Sequence, residues 1–290
     1  MYRTTFAPQA GDKPYACVDW SRLELSIECK AHWIEQDPFD PDSQDDEPTA
    51  AKRQAALGQI LSYAELVFRH QQRTWHFMVV LLGDYARIVR FDHSSIFATT
   101  KFNYKTHTHM LGEFLWRFSR QTPVMRGHDP TAKRIERGDH LWDKMVAKKG
   151  ADSQADDYVQ MLFNDSLDES WPWWQLEVPV ATPSGKTRAS VRRCTRRFVV
   201  GKPHFMAPGV TGRGTRGYVA LPLDDTDNLD EAFVYLKDAW RVDHDGIEKE
   251  GDILRELNDA KVCFVPTLIC HGDLGGPEQT TDWQIGRAHV

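Results

Sequence analysis

Apolar and polar residues alternate strictly from Arg22 to Lys30: Leu23, Leu25, Ile27 and Cys29 fall on one face, and Glu24, Ser26, Glu28 and Lys30 on the other. A period of two describes a strand with one covered face, so the apolar set is expected to meet the core and the polar set solvent. The following stretch, DPFDPDSQDDEP (37–48), has no such period. Its acidic, proline-punctuated composition predicts a mobile loop that does not pack. From 51 to 73 the spacing of Leu57, Ile60, Leu61, Ala64, Val67 and Phe68 draws one apolar stripe along a helix. Two strands follow, WHFMVVLL (75–82) and YARIVRF (85–91), joined by Gly83-Asp84, a strong hairpin signal.

A further short strand is expected at 95–99, a helix carrying Met110, Leu111, Phe114, Leu115 and Phe118, and a second helix over 130–148. The run KKGADSQADD (148–157) is a polar break, after which Tyr158 to Phe163 resume a short helix before the aromatic cluster WPWW (171–174). Beyond it, 198–200, 218–221 and 232–237 are strand-like; a helix over 246–259 and a strand over 262–269 close the pattern. The predicted organisation is an α/β domain over 1–165, a linker with the aromatic cluster over 166–190, and a second, sheet-based domain over 191–283.

Composition narrows the function classes. A net charge of −6 over 290 residues supplies no general field for nucleic acid or anionic membrane, which argues against either as a partner. No apolar run reaches the roughly 18 residues of a membrane span, and the N-terminus lacks a signal-peptide pattern, so an intracellular protein, cytoplasmic or nuclear, is expected. Five scattered cysteines without a C-x-x-C pair suggest neither a disulfide framework nor a thiolate zinc site.

Candidate chemistry concentrates in the second half. GVTGRGTRGYVAL (209–221) contains Gly212-x-Gly214-x-x-Gly217-x-Val219, the spacing of a loop whose bare backbone N–H groups approach nucleotide phosphates. Twenty residues past Gly217, Val234-Tyr235-Leu236-Lys237 matches V-A-I-K at its first and last positions, which makes Lys237 the phosphate-pairing lysine. The next helix offers Glu248 and Glu250 as the lysine's ion-pair partner; Ile253-Leu254 at packing distance favours Glu250. A lone glycine motif is weak, but loop, lysine and glutamate in this order make a kinase-type small lobe.

Together with LLGDYARIVRFD, FLWRFSRQTPVMRGHDPT, YLKDAWRVDHDGIEKEGDILREL and VPTLICHGD, these residues resemble the fungal-type protein kinase family over most of 15–282. The resemblance implies ATP, Mg2+ and phosphoryl transfer to Ser/Thr-type hydroxyls of a protein substrate. It carries over to Gly212, Gly214, Gly217, Val219, Lys237 and Glu250. Neither H-R-D-x-x-x-x-N nor D-F-G occurs in the chain, although the aspartates and asparagine of those motifs position hydroxyl and metal. His271-Gly272-Asp273 is no substitute: Glu278 stands where the asparagine belongs, and only 20 residues separate Glu250 from His271. Ile285 to Val290, IGRAHV, coincides with the translation of a common sequencing adapter, so 284–290 are expected to be artefactual and the small lobe truncated. As it stands, the chain is expected to show no phosphoryl transfer; a non-catalytic pseudokinase or binding module is the alternative.

A reading of another class attaches to the first half. Glu28 and Lys30 share a strand face, and with Asp19 they resemble the D…E-x-K signature of the restriction-endonuclease-like fold. The glutamine-bearing helix with Gln59 and Tyr63 adds to that likeness. Two carboxylates and a lysine so placed bind Mg2+ and orient a water for phosphodiester cleavage; the simpler expectation is a solvated strand face. His107-x-His109 has metal-ligand spacing but no third ligand, and is expected to be helix surface. The basic run Arg188, Arg192, Arg193, Arg196 and Arg197 is expected on a solvated strand edge. Trp171, Trp173 and Trp174 are expected to pack the two domains together.

Overall fold

The computed structural model describes residues 18–40, 48–150, 158–181, 193–230, 232–240 and 247–274. They group into two units. Among the described residues, the first comprises those up to Asp129 together with Ala207–Gly214, and the second those of Pro130–Met206 and those from Thr215 onward. The boundary expected near 165 therefore falls inside the second unit, and residues 284–290 lie outside the described residues.

In the first unit β1 (Ser26–Lys30) runs parallel to β2 (Trp75–Leu82), with the helix α1 (Ala51–His70) as the connection. β2 turns tightly into β3 (Tyr85–Asp92), Leu82 facing Tyr85. Gly83 supplies the positive φ of +59° that this two-residue turn requires. β4 (Ile96–Ala98) and β5 (Phe102–Asn103) pair with β3. The helical stripe works as its spacing predicts: Ile60, Ala64 and Phe68 of α1 pack on Met78, Val80 and Leu82 of β2 and Val89 and Phe91 of β3. The other sheet face receives the helix α2 (Thr108–Arg120), whose Leu111, Phe114, Leu115 and Phe118 meet Leu25, Phe77, Val79 and Leu81.

Two expectations fail here for reasons of neighbourhood. In the register of β1 on β2, Ser26, Glu28 and Lys30 stand beside Met78, Val80 and Leu82, on the α1 face. Glu24 and Ser26 are buried and Glu28 and Lys30 half-buried, while Ile27 is 50% exposed and Cys29 is exposed. β1 is an edge strand; of the apolar set, Leu23 and Leu25, just before the strand, are buried as expected, and Leu25 joins the cluster with α2. The acidic stretch also packs at its start. Phe39 lies in the core, and Asp37 is fully buried against Arg87; residues 41–47 lie outside the described residues.

His76 shows what the inward polar face costs. Its ring is fully buried, with Nε2 2.7 Å from Ser26 Oγ. Burial first, and the nearby Arg73 guanidinium second, hold the imidazole well below its ordinary value of 6.5. Below about pH 6.5 the unfolded chain binds a proton that folded His76 refuses, so stability falls with pH by up to about 1.4 kcal/mol per unit. His76→Asn is expected to flatten the dependence of the urea midpoint on pH between about 7 and 5. Equal slopes in the two proteins would remove His76 from that account.

The second unit is built on an antiparallel sheet in the order β11 (Val234–Asp238), β10 (Arg216–Leu223), β8 (Arg193–Val200), β7 (Trp173–Ala181), β6 (Ala132–Ile135). The short β9 (Phe205–Met206) pairs with β10 on the β8 side. The helix expected over 130–148 divides into β6 and α3 (His140–Ala147), because Gly138, at φ +92°, interrupts the chain and β6 finds a partner in β7. The aromatic cluster is strand as well as turn. Trp173 and Trp174 begin β7 and enter the two cores of this unit on opposite sheet faces, and Trp171 carries Lys202 over its ring at 5.3 Å.

One sheet face packs Trp173, Val199, Val219 and Leu221 with Leu141 and Met145 of α3 and Phe163 of the helix α4 (Tyr158–Ser166). The other gathers Trp174, Phe198, Tyr218 and Ala220. The strand expected over 262–269 is absent. Lys261 and Phe264 adopt φ of 56° and 63°, which breaks extended pairing, and Asn258 instead accepts the Leu268 N–H at 2.8 Å. In the described part of the basic run, Arg196 is exposed on the stretch of β8 that pairs with β7 alone, as a strand edge would have it, whereas Arg197 stands where β8 also pairs with β10 and meets Asp227. Arg188 and Arg192 lie outside the described residues.

Candidate functional site

β10 and β11 set the residues of the expected lobe opposite one another. Gly217 faces Lys237 and Val219 faces Tyr235 in the antiparallel register. The helix α5 (Glu250–Asp259) begins with Glu250, and Glu250 Oε2 lies 2.5 Å from Lys237 Nζ. Of the two glutamates that the sequence offers, Glu250 is the one Lys237 meets. A carboxylate in the first turn is also favoured by the helix dipole. Both side chains are well solvated, at 32% and 54% exposure, so the pair adds little to stability. Its consequence is orientation: the ammonium is held at one place on an accessible surface.

The glycines of the motif are divided between the two units. Ala207–Gly214 belongs to the first unit, where the Gly209 N–H donates to Glu65 Oε1 at 3.2 Å and the Gly212 N–H to the His93 carbonyl at 2.7 Å. Val210 is buried with Ile60, Ala64 and Phe68. Gly209, Gly212 and Gly214 have φ of +96°, +107° and +48°, the left-handed region glycine tolerates. Gly217, Val219, Lys237 and Glu250 belong to the second unit.

Two neighbours of Lys237 were not marked by the motif. A Cβ on Gly217 would fall 2.8 Å from the Tyr235 hydroxyl and 3.3 Å from His204 Nε2. The Tyr235 and His204 rings lie 5.6 Å apart between centroids. The available signal was the tyrosine standing where V-A-I-K has alanine. The His271-Gly272-Asp273 segment is held structurally: Asp273 pairs with Lys249 at 2.6 Å, and His271 meets Asp252 and Arg255. A Cβ on Gly272 would fall 1.7 Å from the Pro179 carbonyl oxygen. A cavity of about 590 Å³, lined among others by Arg196, Phe198, Leu223, Val234 and Ile269, includes none of Gly217, Lys237 and Glu250.

In the first unit Lys30 Nζ lies 2.7 Å from Glu28 Oε1 and donates to Gln59 Oε1, whose amide Nε2 donates to the Tyr63 hydroxyl at 2.6 Å. Asp19 instead accepts from the Ser21 N–H and hydroxyl, at 3.1 and 2.6 Å, and lies 3.9 Å from Arg22. The expected D…E-x-K trio is thus joined only in its second and third members. Among the described residues no three His, Cys, Asp or Glu side chains are placed to hold a metal ion, His107 and His109 included. No described helix is long and apolar enough to cross a membrane.

An antiparallel sheet that sets a glycine opposite a lysine, with that lysine paired to a helical glutamate, is consistent with a kinase-like fold. The family model for fungal protein kinases matches residues 42–287. The chain therefore belongs to the fungal protein kinase family. Neither the curated proteins nor the solved structures yield a significant match.

Proposed function

We propose that this chain carries the nucleotide-holding lobe of an ATP-dependent protein kinase whose intact form transfers phosphate to Ser/Thr hydroxyls. The observation that carries the reading is the Lys237–Glu250 pair, on the strand and the helix where a kinase needs them. Glu250 holds the Lys237 ammonium in place, and the ammonium meets the nucleotide phosphates as a fixed point charge. The chain's own motifs include neither the catalytic-loop aspartate nor the metal-binding loop, so its role alone is binding without turnover. Mg2+ arrives with the nucleotide and neutralises phosphate charge.

Titration of the 290-residue chain with Mg2+-ATP is expected to show saturable binding, weakened about tenfold or more by Lys237→Ala, the loss of one charge-assisted phosphate contact. Heat signals that are absent, or unchanged by Lys237→Ala, would sink the reading. Metal-dependent phosphorylation by this chain would overturn the binding-only part.

The inward-turned Glu28, Lys30, Gln59 and Tyr63 favour a second, narrower reading of the first unit as a relict of the restriction-endonuclease-like fold. Among the described residues Glu28 is the carboxylate of that chain of contacts and no three metal-ligating side chains come together, so the residues do not fit a Mg2+ site and no cleavage is proposed.

A further inference from the structure

We propose that the cavity of about 590 Å³ beside β8, β10 and the turn that follows β10 is a binding site for a small amphipathic carboxylate, with the apolar body in the cavity and the head on Arg196. The site is separate from Lys237 and independent of the nucleotide reading. Phe198 stands opposite Pro222 in the sheet register and Val234 opposite Ala220, whereas Lys237 stands opposite Gly217 and Tyr235 opposite Val219. Side chains alternate along a strand, so Phe198, Pro222 and Val234 share one sheet face and Lys237 projects from the other. The volume lies within the range of small-molecule sites, about 300–1,000 Å³.

The lining selects the ligand by polarity and charge. Phe198, Pro222, Leu229, Val234 and Ile269 make it apolar, and Ile269, in the segment after α5, is still 52% exposed. Two arginines reach the cavity, but Arg197 is already engaged: it pairs with Asp227 and donates to the Asp224 carbonyl. The carboxylates at the cavity are held by their own turn. Asp224 Oδ1 accepts the Thr226 and Asn228 N–H groups at 2.8 and 2.7 Å, and Asp230 Oδ1 accepts the Ala232 N–H at 3.3 Å. Arg196 is exposed and meets the Cys270 thiol rather than a carboxylate. Burial pushes that thiol up, against the pull of Arg196, so it stays neutral at pH 7 and does not balance the guanidinium. A carboxylate does balance it, through two parallel N–H···O bonds that match the planar fork. An apolar cavity with one such guanidinium at its rim fits a ligand with an apolar body and a single planar anionic head.

The test titrates the 290-residue chain calorimetrically with decanoate and, as its uncharged match, decanol. Decanoate is expected to bind at one site per chain, and decanol about tenfold or more weaker, because it lacks the charge-assisted contact. Arg196→Gln should bring decanoate down to the level of decanol and leave decanol unchanged. Ala232→Trp, which fills the cavity from an exposed position, should weaken both about tenfold, while Lys237→Ala changes neither. Decanoate and decanol binding alike, Arg196→Gln leaving decanoate unchanged, or Ala232→Trp leaving both unchanged would overturn the proposal. So would uptake of many decanoates without saturation, which is adsorption, or no binding of decanoate at all. A loss with Lys237→Ala equal to that with Arg196→Gln would place decanoate on the phosphate-binding lysine and overturn the cavity site. Each of these outcomes leaves the nucleotide reading to the Mg2+-ATP titration, so the two fail separately.

Discussion

Asp37→Ala is expected to destabilise the first unit by about 3–5 kcal/mol, because it strands a buried guanidinium. Asp37 is fully buried, accepting Arg87 Nε at 2.8 Å and Arg87 Nη2 at 2.9 Å in a two-pronged pair, with Lys101 Nζ at 3.1 Å as a second cation. Arg87 itself is only 6% exposed. The pair as a whole need not stabilise much, since desolvating both ions offsets most of their attraction. Removing one partner is different: the remaining charge has neither water nor a counter-ion. Urea unfolding of the chain, followed by fluorescence and by a second probe, measures the effect. The double replacement Asp37→Leu with Arg87→Met should recover much of the loss, as apolar pairs do for buried ions. A single-variant loss under about 1 kcal/mol would show that Arg87 reaches water when unpaired.

Trp173→Ala is expected to cost the second unit about 3–5 kcal/mol, the range of large aromatic truncations in a core. Trp173 is 1% exposed and lies flat on Trp142, with ring centroids 3.7 Å apart and planes 10° from parallel. Its indole N–H donates to the Asp168 carbonyl at 3.1 Å. Truncation removes the buried area and the stack, and leaves that carbonyl without this donor. Trp173→Phe keeps part of the packing and should fall clearly short of the alanine loss. The measurement is the same unfolding titration; an alanine variant within about 1 kcal/mol of the parent would mean the site collapses around the gap.

Much of the architecture was legible because it is written in local periodicity. The stripe of Ile60, Ala64 and Phe68, the amphipathic run ending at Phe118, and the two strands around Gly83-Asp84 each form where their spacing indicates. Order along the chain was equally informative about Lys237 and Glu250, since a strand residue and the start of the next helix are brought together by a short connection. Periodicity failed where two kinds of segment share a pattern. Residues 130–148 have enough apolar residues for a helix, yet 132–135 become strand because β7 offers an edge to pair with. Residues 262–269 read as strand, and without a partner edge they are none.

By itself, then, the sequence determined the element types with strong local signals, the kinase-type motif and the absence of its catalytic loops. Only the tertiary structure decided which face of β1 turns inward, that Asp37 is buried, that Gly212 donates to the His93 carbonyl, and that Val219 is core while Tyr235 is open. The division has a physical cause. Backbone periods and turn chemistry act over a few residues, whereas burial is conferred by segments far away in the chain. Whether a valine covers a base or fills a core depends on Phe163 and Leu141, which stand more than fifty residues before it and leave no mark on its local pattern.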